Sequence, residues 1–165
     1  CLAARDHGPA VVAAYMDHVL ANAEESVRRL LDRLQDGEFA YPMDNGAVVK
    51  VAIRIDRANR SAVFDFTGTS DQLPDNFNAP RSITRAAALY VVRTLIDDAI
   101  PMNDVCLRPI ELVVPPGSML DPQPGAAVVA GNVETSQVVT DITRRSAAVR
   151  ARVRTMMAPA RCRRI

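Results

Sequence analysis

Residues 49–66 read VKVAIRIDRANRSAVFDF. Val49, Val51, Ile53 and Ile55 alternate with Lys50, Ala52, Arg54 and Asp56, the two-residue period of a half-buried strand. Residues 57–60 (RANR) are turn-like, and Ala62, Phe64 and Phe66 then alternate with Val63 and Asp65 as a second strand. A β-hairpin over 49–55 and 62–66 is the reading from which the rest of the fold is built. The turn signal Asp44-Asn45-Gly46 stands just before it.

On the N-terminal side, residues 9–35 read as one long helix. Pro9 suits a first helical turn. Val12, Tyr15, Val19, Val27, Leu30, Leu31 and Leu34 recur near helical spacing, with Glu24, Glu25, Arg28, Arg29, Asp32 and Arg33 on the other face. Glu24–Arg28 and Glu25–Arg29 are i,i+4 pairs in the favourable orientation, and Asp36-Gly37 is read as the stop. On the C-terminal side comes a long polar loop, TGTSDQLPDNFNAP (67–80). Loops of that length tend to be functional. A second helix is expected from about Ile83 to Asp97, capped by Ser82, then a short strand over Ile110–Val114. A last helix runs from Glu134 to about Ile142, with Asn132 near its cap. The order α-β-β-α-β-α gives an α+β fold: long N-terminal helix, β-hairpin, second helix, short strand, C-terminal helix. The hairpin is expected to pack under the 83–97 helix, and the 67–80 loop to lie beside the 130–137 turn.

The chain has 165 residues, 48% of them apolar and 24% charged. That is enough for one domain with a buried core, and it excludes wholesale disorder. No apolar run approaches the roughly 18 residues that a membrane span needs. The three cysteines, Cys1, Cys106 and Cys162, are widely spaced without a C-x-x-C pair. This argues against a disulfide scaffold or structural zinc site and for a reducing, cytoplasmic compartment. Cys106 is read as a buried structural thiol. The chain begins with Cys1 rather than Met, and the expectation is that it starts inside a longer protein.

The net charge of +1 conceals a split. Residues 1–143 carry 12 Lys and Arg against all 19 Asp and Glu, a formal −7, whereas residues 144–165 carry 8 Arg and no acid. The expected organisation is a body at 1–143 followed by an Arg-rich tail at 144–165. Off-frame reading of GC-rich DNA yields this Arg-, Ala- and Pro-rich vocabulary, and that is the expected origin of the tail. The other reading is a basic arm that grips nucleic acid or an acidic partner by charge neutralisation. By either account the tail is expected to be poorly packed.

The histidines, His7 and His18, lack the i,i+4 partner of a metal-binding helix. There is no G-x-S-x-G elbow, G-x-G-x-x-G loop or Walker A motif. Three polar clusters remain: TGTS (67–70), DNFNAP (75–80) and AGNVETSQ (130–137). Small hydroxyls, amides and glycines at such turns can present donors to an anion or hold an amide-type substrate. Glu134, at a helix start, is a carboxylate favoured by the macrodipole. The residues alone favour reading these clusters as caps and turns.

In this order the clusters resemble the hydantoinase B/oxoprolinase family. The residues that carry the resemblance are HGPAVVAAYMDHVLANAEESVRR (7–29), YPMDNG (41–46), DFTGTS (65–70), DNFNAPRSITRAAALYVVRTL (75–95), IPMNDVCLRPIELVVPPGSML (100–120) and AAVVAGNVETSQVVTD (126–141). The spacing looks most like the B-type half of 5-oxoprolinase. The resemblance implies part of a larger domain that acts with an ATP-binding, hydantoinase A-type half or subunit. The implied reaction is ATP-dependent opening of a small cyclic amide, 5-oxo-L-proline to L-glutamate or a hydantoin ring. It also implies a divalent metal and an oligomer for the full-length enzyme, but no cofactor or metal held by this piece, which is expected to be inactive alone. N-methylhydantoinases and acetone-carboxylase-type subunits are similar here, so the substrate stays open, and a non-catalytic binding role through the tail is the remaining alternative. On the residues that match, Glu134 is the expected proton acceptor, grouped with Asn132 and Thr135 as catalytic. Thr67, Asn76 and Asn78 are the expected substrate-binding residues. Asn76, Asn78, Asn132 and Thr135 are the expected oxyanion or phosphate donors.

Overall fold

A computed structural model of the chain describes residues 2–97, 100–101 and 103–147. Its elements run α1 (Leu2–His7), α2 (Pro9–Leu31), β1 (Gly37–Pro42), β2 (Val48–Asp56), β3 (Ser61–Asp65), α3 (Arg81–Leu95), β4 (Ile110–Val113) and α4 (Glu134–Ser146), with 3-10 turns at Asp104–Leu107 and Val129–Asn132. The fold is α+β, as the residue pattern predicts. The four strands form one sheet in the order β1-β2-β3-β4.

The hairpin carries the core. Val49, Val51 and Ile53 of β2 are fully buried, as are Ala62 and Phe64 of β3 and Phe66 just beyond it. Ile53 faces Phe64 and Ile55 faces Ala62 across the antiparallel pair, so the apolar alternation of both strands falls on one face. The chain then crosses through α3 and returns as β4, parallel to β3 with Phe64 opposite Leu112. Parallel pairing requires such a crossover.

α2 ends at Leu31, short of the expected 35, α3 opens at Arg81 without a side-chain cap, and two larger features also depart from the reading of the sequence. The first is β1, an edge strand that pairs antiparallel with β2 from Gly37↔Ile53 to Pro42↔Val48. The second is the helix that covers the hairpin. α4, not α3, lies against β1 and β2, and α3 packs alongside α4. Val139, Ile142 and Thr143 supply the inward face of α4, and Ala87, Ala88, Val91 and Val92 that of α3. Gly37 makes the approach of α4 to β1 possible: a Cβ there would lie 2.0 Å from the carbonyl oxygen of Ser146.

α4 continues past the expected end near Ile142 to Ser146, and Ser146 and Ala147 are both buried. The Arg145 guanidinium stands 5.3 Å above the Phe39 ring centroid, a cation–π distance. Arg145, Ser146 and Ala147 of the expected tail are thus packed on the body, and residues 148–165 lie outside the described residues.

α2 is buried only in its C-terminal half, through Ala23, Val27, Leu30 and Leu31. Both i,i+4 pairs form, Arg28–Glu24 at 2.7 Å and Arg29–Glu25 at 3.3 Å. Arg60 ties the hairpin turn to the helix through Glu25 (3.2 Å) and Asp32 (2.7 Å). Cys106 is buried, as expected, and its thiol points to the Pro101 carbonyl at 3.5 Å. Among the described residues no helix is long and apolar enough to cross a membrane.

These ion pairs make an acid-sensitivity prediction. Hydrogen bonds from Arg28 to Glu24, from Arg60 to Glu25 and from Lys50 to Glu38 hold all three carboxyls below the ordinary glutamate value of 4.5. A carboxyl whose folded pKa is depressed contributes stability above its unfolded pKa, and that contribution is lost as pH falls through the folded value. Urea midpoints are therefore expected to hold steady from pH 7 to 5 and to drop below about pH 4.5, less steeply in high salt. A flat profile to pH 3 would show these pairs to be inconsequential.

Candidate active site

The 67–80 loop and the 130–137 turn meet, as expected. The amide of Ala130 donates to the Asn76 carbonyl at 3.0 Å. The Thr135 hydroxyl donates to the Phe77 carbonyl. The Asn78 side-chain amide reaches the Ala127 carbonyl at 3.1 Å. Gly131 sits so close to this loop that a Cβ would lie 2.1 Å from the Asn78 carbonyl oxygen.

The YPMDNG turn between β1 and β2 joins them. Asn45 closes an Asx turn by accepting from the Ala47 amide at 3.1 Å, a habit of its side chain that favours turns. Its Nδ2 donates to Asp75 Oδ2 at 3.3 Å, and Asp75 Oδ1 accepts from the Phe77 amide at 3.1 Å. The three segments enclose a cleft of about 270 Å³. Its half-buried lining is Met43, Phe77 and Val138, and its exposed rim is Tyr41, Asp44, Asn45 and Glu134.

The expected site residues divide by burial. Glu134 is exposed, opens α4 and lines the cleft. Asn132 ends the 3-10 turn before it, exposed, with its carbonyl accepting from the Ser136 hydroxyl at 2.9 Å. Asn76 is exposed beside Phe77. Asn78 is 0% exposed, and its amide is committed to backbone. Oδ1 accepts from the Leu73 amide at 2.7 Å, and Nδ2 donates to the carbonyls of Leu73, Asp75 and Ala127 at 2.9–3.1 Å. Thr135 is likewise buried, with its hydroxyl on Phe77. These two hold the loops together. Thr67 is exposed, its amide bonded to Asp65 Oδ1 at 2.9 Å, and it is not among the cleft's lining residues. Its neighbours Thr69 and Ser70 instead extend the pairing with β2, accepting from the amides of Lys50 (3.1 Å) and Val48 (2.8 Å).

Asp44, Asn45, Phe77 and Val138 are cleft residues that the reading of the sequence does not single out. Asp44-Asn45-Gly46 carries a signal, but a turn signal states only a backbone need. A larger groove of about 640 Å³ runs along α2, past Val12, Tyr15, Met16 and Val19. His7 and Asn103 are its polar liners, so it offers little chemistry. His18 is exposed on the same helix. Among the described residues no three His, Cys, Asp or Glu side chains converge as a metal site.

The model of the hydantoinase B/oxoprolinase family matches residues 3–163. The chain belongs to the hydantoinase B/oxoprolinase family. It is 41% identical over 152 residues to 5-oxoprolinase 1 of Arabidopsis thaliana, covering 82% of this chain and 12% of that protein. It is 38% identical over 144 residues to 5-oxoprolinase of Saccharomyces cerevisiae, covering 84% of this chain and 11% of that protein. The hydantoinase B/oxoprolinase chain thus spans about a ninth of the length of these curated relatives. Among solved structures, the ATP-dependent caprolactamase from Pseudomonas jessenii superposes with a TM-score of 0.66 at 19% identity, over 87% of this chain and 26% of that one. That likeness is one of fold.

Proposed function

We propose that this chain is part of the B-type half of an ATP-dependent cyclic-amide hydrolase of the 5-oxoprolinase type, and that the cleft rimmed by Asp44, Asn45 and Glu134 receives the ring. The observation that carries the reading is the 41% identity to 5-oxoprolinase 1 across most of this chain. The geometry supports it, because three of the segments on which the resemblance rests line one cleft. ATP held by an A-type half would supply a phosphoryl group to the ring carbonyl oxygen with ADP leaving, so that water could add to the carbon, phosphate depart and the ring C–N bond break. The residues of this chain do the rest. The lining formed by Phe77 and Val138 takes the ring methylenes, Glu134 at the rim accepts a proton from the attacking water, and Asn76 and Asn132, exposed and close in the chain to the lining residues Phe77 and Glu134 without lining the cleft themselves, are the proposed donors toward developing negative charge. Asn78 and Thr135 act by fixing the backbone that carries these groups. Thr67 is given no role.

The test is a chimera in which residues 7–147 replace the matching segment of a 5-oxoprolinase. ATP-dependent opening of 5-oxo-L-proline is expected to survive the exchange, and a folded chimera without turnover would refute the assignment. The isolated 165-residue chain is expected to show no turnover with or without ATP, because its sequence shows no nucleotide-binding motif and, among its described residues, no three His, Cys, Asp or Glu side chains converge. Robust hydrolysis by it alone would contradict this account.

A further inference from the structure

Asp44 and Asn45 are consecutive, both exposed and both on the cleft rim. They offer opposite halves of a hydrogen-bonding pair. An ionised aspartate only accepts. Asn45 has its carbonyl oxygen occupied by the Ala47 amide and one Nδ2 contact by Asp75, and a side-chain amide has two N–H donors. The turn therefore shows the cleft an acceptor at Asp44 and a spare donor at Asn45. Across the cleft, Glu134 adds a second acceptor-only group. The nearby cations Lys50 and Arg145 are engaged elsewhere, with Glu38 at 2.8 Å and over the Phe39 ring.

A small-ring amide is locked cis, so its N–H and C=O project from the same edge of the ring. An open-chain amide is trans and points them in opposite directions. The rim and the ring edge are complementary: ring N–H to the Asp44 carboxylate, ring C=O from the Asn45 amide, methylenes on Phe77 and Val138. We infer that Asp44 and Asn45 read the N–H/C=O edge of a cis-amide, so that the cleft selects N-unsubstituted cyclic amides over N-alkylated ones. This inference rests on the cyclic-amide reading above and adds the ring's substitution to it. An N-methyl group removes the donor, leaves the Asp44 carboxylate without its partner, and sets a methyl against it.

Two commercially simple probes isolate the difference, 2-pyrrolidinone and N-methyl-2-pyrrolidinone. Each is titrated into the ¹⁵N-labelled 165-residue chain while the backbone amides are followed by NMR. The expected result is shifts centred on Tyr41, Asn45, Phe77 and Val138, weak in absolute terms for so small a ligand, with the N-methyl ring binding at least about fivefold more weakly. Asp44→Ala should erase that discrimination. Asn45→Asp keeps the Asx acceptor but removes both Nδ2 donors, the one on Asp75 included, and should weaken both rings alike. Equal binding of the two rings at the cleft overturns the N–H readout and leaves the cyclic-amide reading standing. If neither ring perturbs the cleft, both readings are overturned.

Discussion

Replacing Asn78 with alanine is expected to lower the unfolding free energy of this chain by about 3–5 kcal/mol. The side chain is wholly buried and serves one backbone amide and three carbonyls. Truncation takes this partner from four part-buried backbone groups and leaves a void where the wholly buried side chain was, and an unsatisfied buried polar group costs about 1–3 kcal/mol. Asn76→Ala is the matched control. Asn76 contributes its backbone carbonyl to Ala130, which alanine retains, and its side chain is exposed, so a change within about 0.5 kcal/mol is expected. Urea unfolding of the three proteins makes the comparison. Near-equal midpoints would show that the loop is held by something other than the Asn78 amide.

Gly131→Ala is expected to cost about 3 kcal/mol for a different reason. The added Cβ meets backbone, not a flexible side-chain end: the Asn78 carbonyl oxygen at 2.1 Å and the Ala79 Cα at 2.9 Å. Neither can give way without parting the 75–80 loop from the turn that leads into α4. Loss of stability should be accompanied by displacement of Glu134, read as altered amide shifts at Tyr41 and Phe77, which line the same cleft. A variant as stable as the parent would mean that the two loops are not interlocked as described.

What could be read in the residues follows from what each signal encodes. The hairpin was legible because Val49, Val51 and Ile53 on one strand and Ala62 and Phe64 on the other bury alternate positions, and burial writes a period into the chain. β1 left no such mark. GEFAYP is short, ends in Pro42 and is mostly exposed at the sheet edge, so its pairing with β2 is a tertiary fact. The choice of α4 over α3 as the cover of the hairpin was equally hidden. Both helices have an apolar face, and the decision lies in Gly37, whose missing Cβ admits the last turn of α4. At the site, the polar clusters were visible as chemistry, but not as chemistry already spent. Asn78 and Thr135 read as donors for a ligand, and only the fold shows their groups bonded to backbone. Asp44 and Asn45 read as a turn, and only the antiparallel return of β1 onto β2 brings them opposite Glu134.

The central claim is that Glu134, at the cleft joining the 41–46, 75–80 and 130–137 segments, performs proton transfer on a cyclic amide. The most direct measurement is kcat for 5-oxo-L-proline in the 5-oxoprolinase chimera carrying residues 7–147, with and without Glu134→Gln. The exchange is nearly isosteric, and Glu134 is exposed and makes no side-chain hydrogen bond on which the fold depends among the described residues. The account predicts a fall in kcat of about a hundredfold or more, with KM and the urea midpoint essentially unchanged. An unchanged kcat would contradict it.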